Sequence, residues 1–132
     1  MIYFDSAATT YPKPASVRSA AADAIVRYGG NPGRSGHKLS ISASSAVYSV
    51  REKAAQMFGA EPQNVVFTLN CTHSINIAVK GIAEEALREK RDFHVIISNL
   101  EHNSVVRPVY EMTKRGLTYS IAEVHPDDDV TV

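Results

Sequence analysis

Two short polar segments hold the residue types from which a ligand site can be built. The first, Thr68-Leu69-Asn70-Cys71-Thr72-His73-Ser74, stands between an apolar run and a stretch of helical periodicity. Main-chain amides at a helix start, with the partial positive charge gathered there, attract an anion such as phosphate. Thr72 adds a hydroxyl donor, and the small Cys71 lets a ligand approach the backbone. Asn, Thr and Ser are equally the residues that cap a helix with no ligand present, so that alternative stands beside the first. The segment is neither a Walker loop nor G-x-G-x-x-G. The second segment is Ser98-Asn99-Leu100-Glu101-His102-Asn103-Ser104. A histidine at the mouth of a parallel sheet can stack on a planar ligand or shuttle protons. The alternative is a polar loop histidine, with Ser104 capping the helix that follows.

Other residues make weaker claims. Gly33-Arg34-Ser35-Gly36-His37-Lys38 places cations and glycines in one loop, which could touch an anion or simply be solvated. Cys71 as a nucleophile needs an activating base, and His73, two residues on, points elsewhere on a helix. Zinc held by Cys71, His73 and His102 would require both segments to converge, without the support of C-x-x-C or H-x-x-x-H spacing.

The elements that must position these residues follow from periodicity. Residues 2–4 suggest a short strand, and residues 6–12 a loop. Residues 14–28 read as a helix, with a proline in the first turn and Gly29-Gly30 as the stop. A second helix is expected over residues 39–58, with Ile41, Val47, Val50, Ala54, Met57 and Phe58 as its apolar stripe and Gly59 closing it. Residues 64–68 form a β-branched and aromatic run, expected as a strand covered on both faces. Helical spacing resumes at Ile75, Ala78, Val79, Ile82 and Leu87. A strand over 94–98, a helix over 105–115 closed by Gly116, and a strand over 117–122 complete the series. This alternation predicts an α/β fold, a mostly parallel sheet with flanking helices. Ligands of such sheets bind beyond the carboxyl ends of the strands, where both polar segments fall. Three strands would leave open edges. The β-prone Val130-Thr131-Val132, after Asp127-Asp128-Asp129, reads as a chain cut within a domain.

Composition narrows the function classes. The 132 residues suit about one domain, and 44% hydrophobic with 21% charged residues is a globular balance. Fourteen basic and fourteen acidic residues give zero net charge, which argues against a surface built for nucleic acid or an anionic membrane. A single cysteine excludes an intramolecular disulfide framework. The first residues show neither a basic n-region nor an apolar run, so a cytoplasmic location is expected.

Four stretches are familiar. Tyr3-Phe4-Asp5-Ser6-Ala7-Ala8-Thr9-Thr10 resembles the opening signature of the cysteine desulfurases, within the class V aminotransferase family of pyridoxal-phosphate enzymes. Asn31-Pro32-Gly33-Arg34-Ser35-Gly36-His37 is similar to the family's next glycine-rich loop. Val66 to Asn76 resembles its phosphate-cradling turn, and Glu101-His102-Asn103-Ser104 its Glu-His segment. The four occur in the family's order and cover essentially the whole chain. The resemblance implies part of the large domain of a fold type I transferase, with residues 1–13 as an N-terminal arm and 14–132 as an incomplete large domain. It implies pyridoxal 5′-phosphate contacts at Asn70, Cys71, Thr72 and His102, with His102 stacked on the pyridine ring and assisting proton transfer. Asn70 and Cys71 replace the Gly and Ala of many members, and His73 replaces Glu, which points to a side branch.

The family's Schiff-base lysine, its pyridinium-binding aspartate and its sulfur-accepting cysteine lie downstream of the resembled region. None of Lys13, Lys38, Lys53, Lys80, Lys90 or Lys114 stands in a matching context. The expectation is therefore the N-terminal portion of an enzyme converting L-cysteine to L-alanine through an enzyme persulfide, inactive alone. A homodimer, a sulfur-acceptor protein and no nucleic acid or membrane are the expected associations. A selenocysteine lyase or another class V aminotransferase is the nearby alternative. A non-catalytic remnant or binding module that keeps the phosphate turn is the alternative of another class.

Overall fold

A computed structural model describes residues 2–34 and 36–125. In chain order the elements are α1 (Ala15–Arg27), α2 (Lys38–Phe58), a 3-10 turn (Pro62–Asn64), α3 (Cys71–Arg88), β1 (His94–Ser98), α4 (Asn103–Thr113) and β2 (Thr118–Ala122). They fall into two compact units, Met1–Val66 and Phe67–Val132. None of the described helices is long and apolar enough to cross a membrane. The Val130-Thr131-Val132 triplet and the aspartates before it lie outside the described residues.

In the first unit the arm folds on itself. The Tyr3 hydroxyl donates to the carbonyls of Asp5 and Thr9, each at 3.0 Å, and its ring meets Tyr11 edge-on at 5.6 Å. Lys13 Nζ donates to the Thr9 hydroxyl and to the Thr10 carbonyl. Residues 2–4 make no strand, contrary to their apolar pattern, because no ladder partner lies alongside them among the described residues. The loop after α1 is stapled to α2: the Ser40 hydroxyl donates to Asn31 O and the Ser44 hydroxyl to Pro32 O, both at 2.7 Å. A Cβ on Gly30 would stand 2.5 Å from the Leu39 carbonyl carbon, so only glycine permits this approach.

Helix α2 begins one residue earlier than expected, capped by His37, whose Nδ1 accepts from Ser40 N–H. It ends at Gly59 in the left-handed region (φ 63°), with Ala60 N–H returning to Ala55 O at 2.9 Å. The expected apolar stripe is not what α2 buries. Ile41, Val47, Val50, Met57 and Phe58 are exposed, while Ser40, Ala43 and Ala55 are buried, so contact is made through small side chains. The strand expected over 64–68 is likewise absent. The backbone is extended at Val65 (φ −90°, ψ 119°), as β-branched residues favour, but no strand is assigned over 64–68 among the described residues.

The second unit contains a parallel βαβ element. β1 pairs with β2 in the register His94↔Thr118 through Ser98↔Ala122. The described sheet has two strands where three were expected, since residues 64–68 do not join it. β2 starts one residue later than its pattern suggested, because Leu117 turns into the core. That core is Ala83, Ile97, Val109, Met112 and Leu117, flanked by Val79, Leu87, Phe93, Val95 and Val105. Helices α3 and α4 pack together, with the ion pair Lys80–Glu111 between them and Glu84–Arg115 joining α3 to the turn after α4. Beyond the strand ends the Asn99 side chain continues the ladder: Nδ2 donates to Val124 O at 3.2 Å and Oδ1 accepts from Val124 N–H at 3.0 Å.

Candidate functional site

The start of α3 is built by Asn70. Its Oδ1 accepts from His73 N–H at 2.9 Å, and its carbonyl takes the first helical bond, from Ser74 N–H. The Thr68 and Ser74 hydroxyls meet at 2.6 Å and both reach Asn70 O, closing the turn. The cap satisfies the third amide of the helix and leaves the first two. Among the described residues, the N–H groups of Cys71 and Thr72 and the Thr72 hydroxyl have no partner. Those are the donors that a helix start offers an anion. The Cys71 thiol is exposed. His73 Nδ1 accepts from Leu69 N–H at 3.4 Å, which turns the ring back onto the preceding turn.

The start of α4 lies two residues earlier than periodicity suggested, for a reason seated in His102. This residue, rather than Ser104, is the cap: Nδ1 accepts from Ser104 N–H at 3.1 Å, with the Ser104 hydroxyl at 3.0 Å. A main-chain N–H can only donate, so Nδ1 carries no proton and the neutral ring holds its proton at Nε2. Ser104 is buried. Glu101 folds the other way, its Oε1 accepting from the Ser98 hydroxyl at 3.0 Å, which leaves the imidazole as the functional group of this segment.

Thr72 and His102 line one cleft of about 520 Å³ in the second unit, together with Asn76, Asn103, Arg107 and Glu111. Asn70 and Cys71 stand at the α3 start and are not among the lining residues. Asn76 Nδ2 donates to Thr72 O at 3.0 Å, fixing the first turn from below. Lys80 Nζ lies 2.7 Å from the Glu111 carboxylate, and this bond holds the carboxyl below its usual range, with Lys114 and Arg115 adding to the effect. Asn76, Arg107 and Glu111 escaped the sequence reading, which stopped at the strand-end loops. The available signal was spacing: Asn76 is one turn beyond Thr72, and Arg107 one turn beyond Asn103. Among the described residues no three His, Cys, Asp or Glu side chains gather as a metal site. The Gly33–Lys38 loop belongs to the first unit, where Asn31 Oδ1 accepts from Gly33 N–H at 2.8 Å.

The family model for aminotransferase class-V matches residues 2–132. The cysteine desulfurase IscS of Pseudomonas putida (strain W619) is 32% identical over 132 residues, which is 98% of this chain and 32% of that protein. A solved NifS-like protein superposes with a TM-score of 0.80 at 31% identity, covering 91% of this chain and 32% of that one. A structure of SspA in complex with cysteine superposes with a TM-score of 0.79 at 30% identity, covering 92% and 34% respectively. The chain spans about a third of the length of the curated relatives it matches.

Proposed function

Since the chain belongs to the class V aminotransferase family, we propose that it forms the N-terminal part of a pyridoxal 5′-phosphate-dependent cysteine desulfurase-like enzyme. That enzyme takes L-cysteine to L-alanine and passes the sulfur to one of its own cysteines as a persulfide. The observation that carries this is the meeting of Thr72 and His102 on one cleft, beside two unspent amides at the α3 start. The likeness to a protein solved in complex with cysteine supports the choice of substrate.

The donor set fits a phosphate monoester. Such a group needs several donors and no unneutralised carboxylate nearby; the Cys71 and Thr72 amides and the Thr72 hydroxyl supply the donors, and Lys80 neutralises Glu111. Cys71 and Thr72 would hold the phosphate, Asn70 keeps the turn closed, and His102 would lie against the pyridine ring. Bound there, the cofactor supplies an electron sink for bond breaking at the amino acid. With Nδ1 accepting from Ser104, His102 turns Nε2–H toward a ligand as a donor, and to act there as an acid or a base it would shift a proton to or from Nδ1 as well. Lys80 is engaged by Glu111, and we place the Schiff-base lysine, the pyridinium-binding acid and the sulfur-accepting cysteine outside this chain. A homodimer and a sulfur-acceptor protein belong to the same reading.

Two assays test it. The 132-residue chain, supplied with cofactor, should release sulfide from L-cysteine no faster than the free cofactor does; a faster rate sinks the proposed division of labour. In the complete enzyme, His102→Ala should lower turnover roughly 100- to 10,000-fold, the range for a positioned acid-base group. Near-normal turnover would reduce His102 to a helix cap, and turnover of L-selenocysteine without L-cysteine would move the assignment to a selenocysteine lyase.

A further inference from the structure

Arg107 lies on α4, five residues past His102, and lines the cleft that Thr72 and His102 share. It is the cation of that wall, and among the described residues its guanidinium makes no ion pair or hydrogen bond. The ordinary partner of an exposed helical arginine is a carboxylate one turn away. Glu111 occupies that position, but Lys80 reaches across from α3 and takes it at 2.7 Å. The charge of Arg107 is thus left unspent where other unspent groups gather. Thr72 offers an amide and a hydroxyl, and His102 offers Nε2–H because its Nδ1 is fixed as an acceptor. Asn76 and Asn103 add side-chain amides that both donate and accept. A wall of this kind recognises a ligand whose oxygens only accept.

We infer that Arg107 is a ligand-contacting residue of the site, and that its guanidinium takes an oxyanion in the cleft it shares with Thr72 and His102. A planar guanidinium grips two oxygens of a carboxylate or a phosphate at once, which a lysine ammonium does not. This role rests on the function proposed above. Within it, the cofactor's phosphate and the amino acid's carboxylate are two sources of the same chemistry.

The test titrates the ¹⁵N-labelled chain with inorganic phosphate and, separately, with L-alanine, following Arg107 Nε–H and the Cys71 and Thr72 amides. With phosphate, all three resonances should shift along one binding curve. Arg107→Gln should weaken phosphate about tenfold or more, the scale of one charge-assisted hydrogen bond, and Arg107→Lys should weaken it less. If Arg107 responds to L-alanine and not to phosphate, the inference stands with the carboxylate as its source. If phosphate shifts Cys71 and Thr72 while Arg107 responds to neither anion, Arg107 is a solvated surface residue and the proposed function survives. If neither anion moves any of the three, both fall. The Nε–H response of the unaltered chain decides the matter even if a variant fails to fold.

Discussion

Asn70 decides whether α3 begins where a ligand can use it. Its side chain satisfies the third amide and leaves the first two facing outward, so one residue both stabilises the helix and selects which donors remain. Asn70→Ala should lower unfolding stability by about 1 kcal/mol, the usual cost of losing such a cap, and Asn70→Asp should retain most of it. A urea titration checks this, and an unchanged midpoint for the alanine variant would mean that the Thr68–Ser74 pair closes the turn unaided. Asn70 was legible in the sequence because its residue type announces a cap. His102 was less so: histidine is not a preferred cap, and only the Ser104 N–H pointing at Nδ1 reveals the role. Arg107 was not legible at all, since an arginine paired with the glutamate one turn on reads the same as one whose glutamate has been taken by another helix.

Between elements, the side of α3 facing α4 is tied by charge above an apolar core. The Lys80–Glu111 bond lowers the Glu111 pKa, first through the hydrogen bond and then through the charge of Lys80. A carboxylate with a depressed folded-state pKa contributes stability above its unfolded value and loses that contribution as pH falls through the lowered one. Glu111→Gln should therefore be slightly less stable than the parent chain at neutral pH. The gap should narrow on acidification below the ordinary carboxylate range, and narrow with added salt, because the pair is exposed. Urea midpoints across pH measure it, and a gap that widens in acid would contradict the assignment. The elements themselves were read with uneven success for one physical reason. Residues 94–98 and the body of α2 are fixed by local pattern and stand as expected. Residues 64–68 have the strand pattern, but a ladder is set by neighbouring strands, which local pattern does not encode, and the described residues assign none there.

At the scale of the whole molecule, surface composition matters most. Phe58 is 79% exposed, Ile96 71% and Leu69 87%, and among the described residues the sheet has two strands. Apolar area of this kind marks contact surfaces. Sedimentation of the isolated chain should show association that increases with concentration; a clean monomer with cooperative unfolding would mean that these side chains find cover within the chain. The α/β class and the order of the four helices and the two paired strands were readable from periodicity, whereas the strands expected over 2–4 and 64–68 were not among the elements described. The choice of small side chains as the packing face of α2 was not, because Ala43 and Ala55 carry no hydrophobic signal comparable to Ile41 or Phe58.

The ring of His94 touches two hydroxyls of the neighbouring strand, Thr118 through Nδ1 at 2.8 Å and Ser120 through Nε2 at 2.9 Å. Those residues share one face of β2, and the residues between and beyond them, Tyr119 and Ile121, carry no such hydroxyl on their β-carbons. A slip of one residue would send both hydroxyls to the opposite face of the sheet, and a slip of two would set Ala122 where Ser120 belongs. His94 therefore acts as a parity check on strand pairing: it closes both bonds in one alignment only, and the loops that carry His102 and Asn99 inherit their placement from a comparison made at the far end of the same strand.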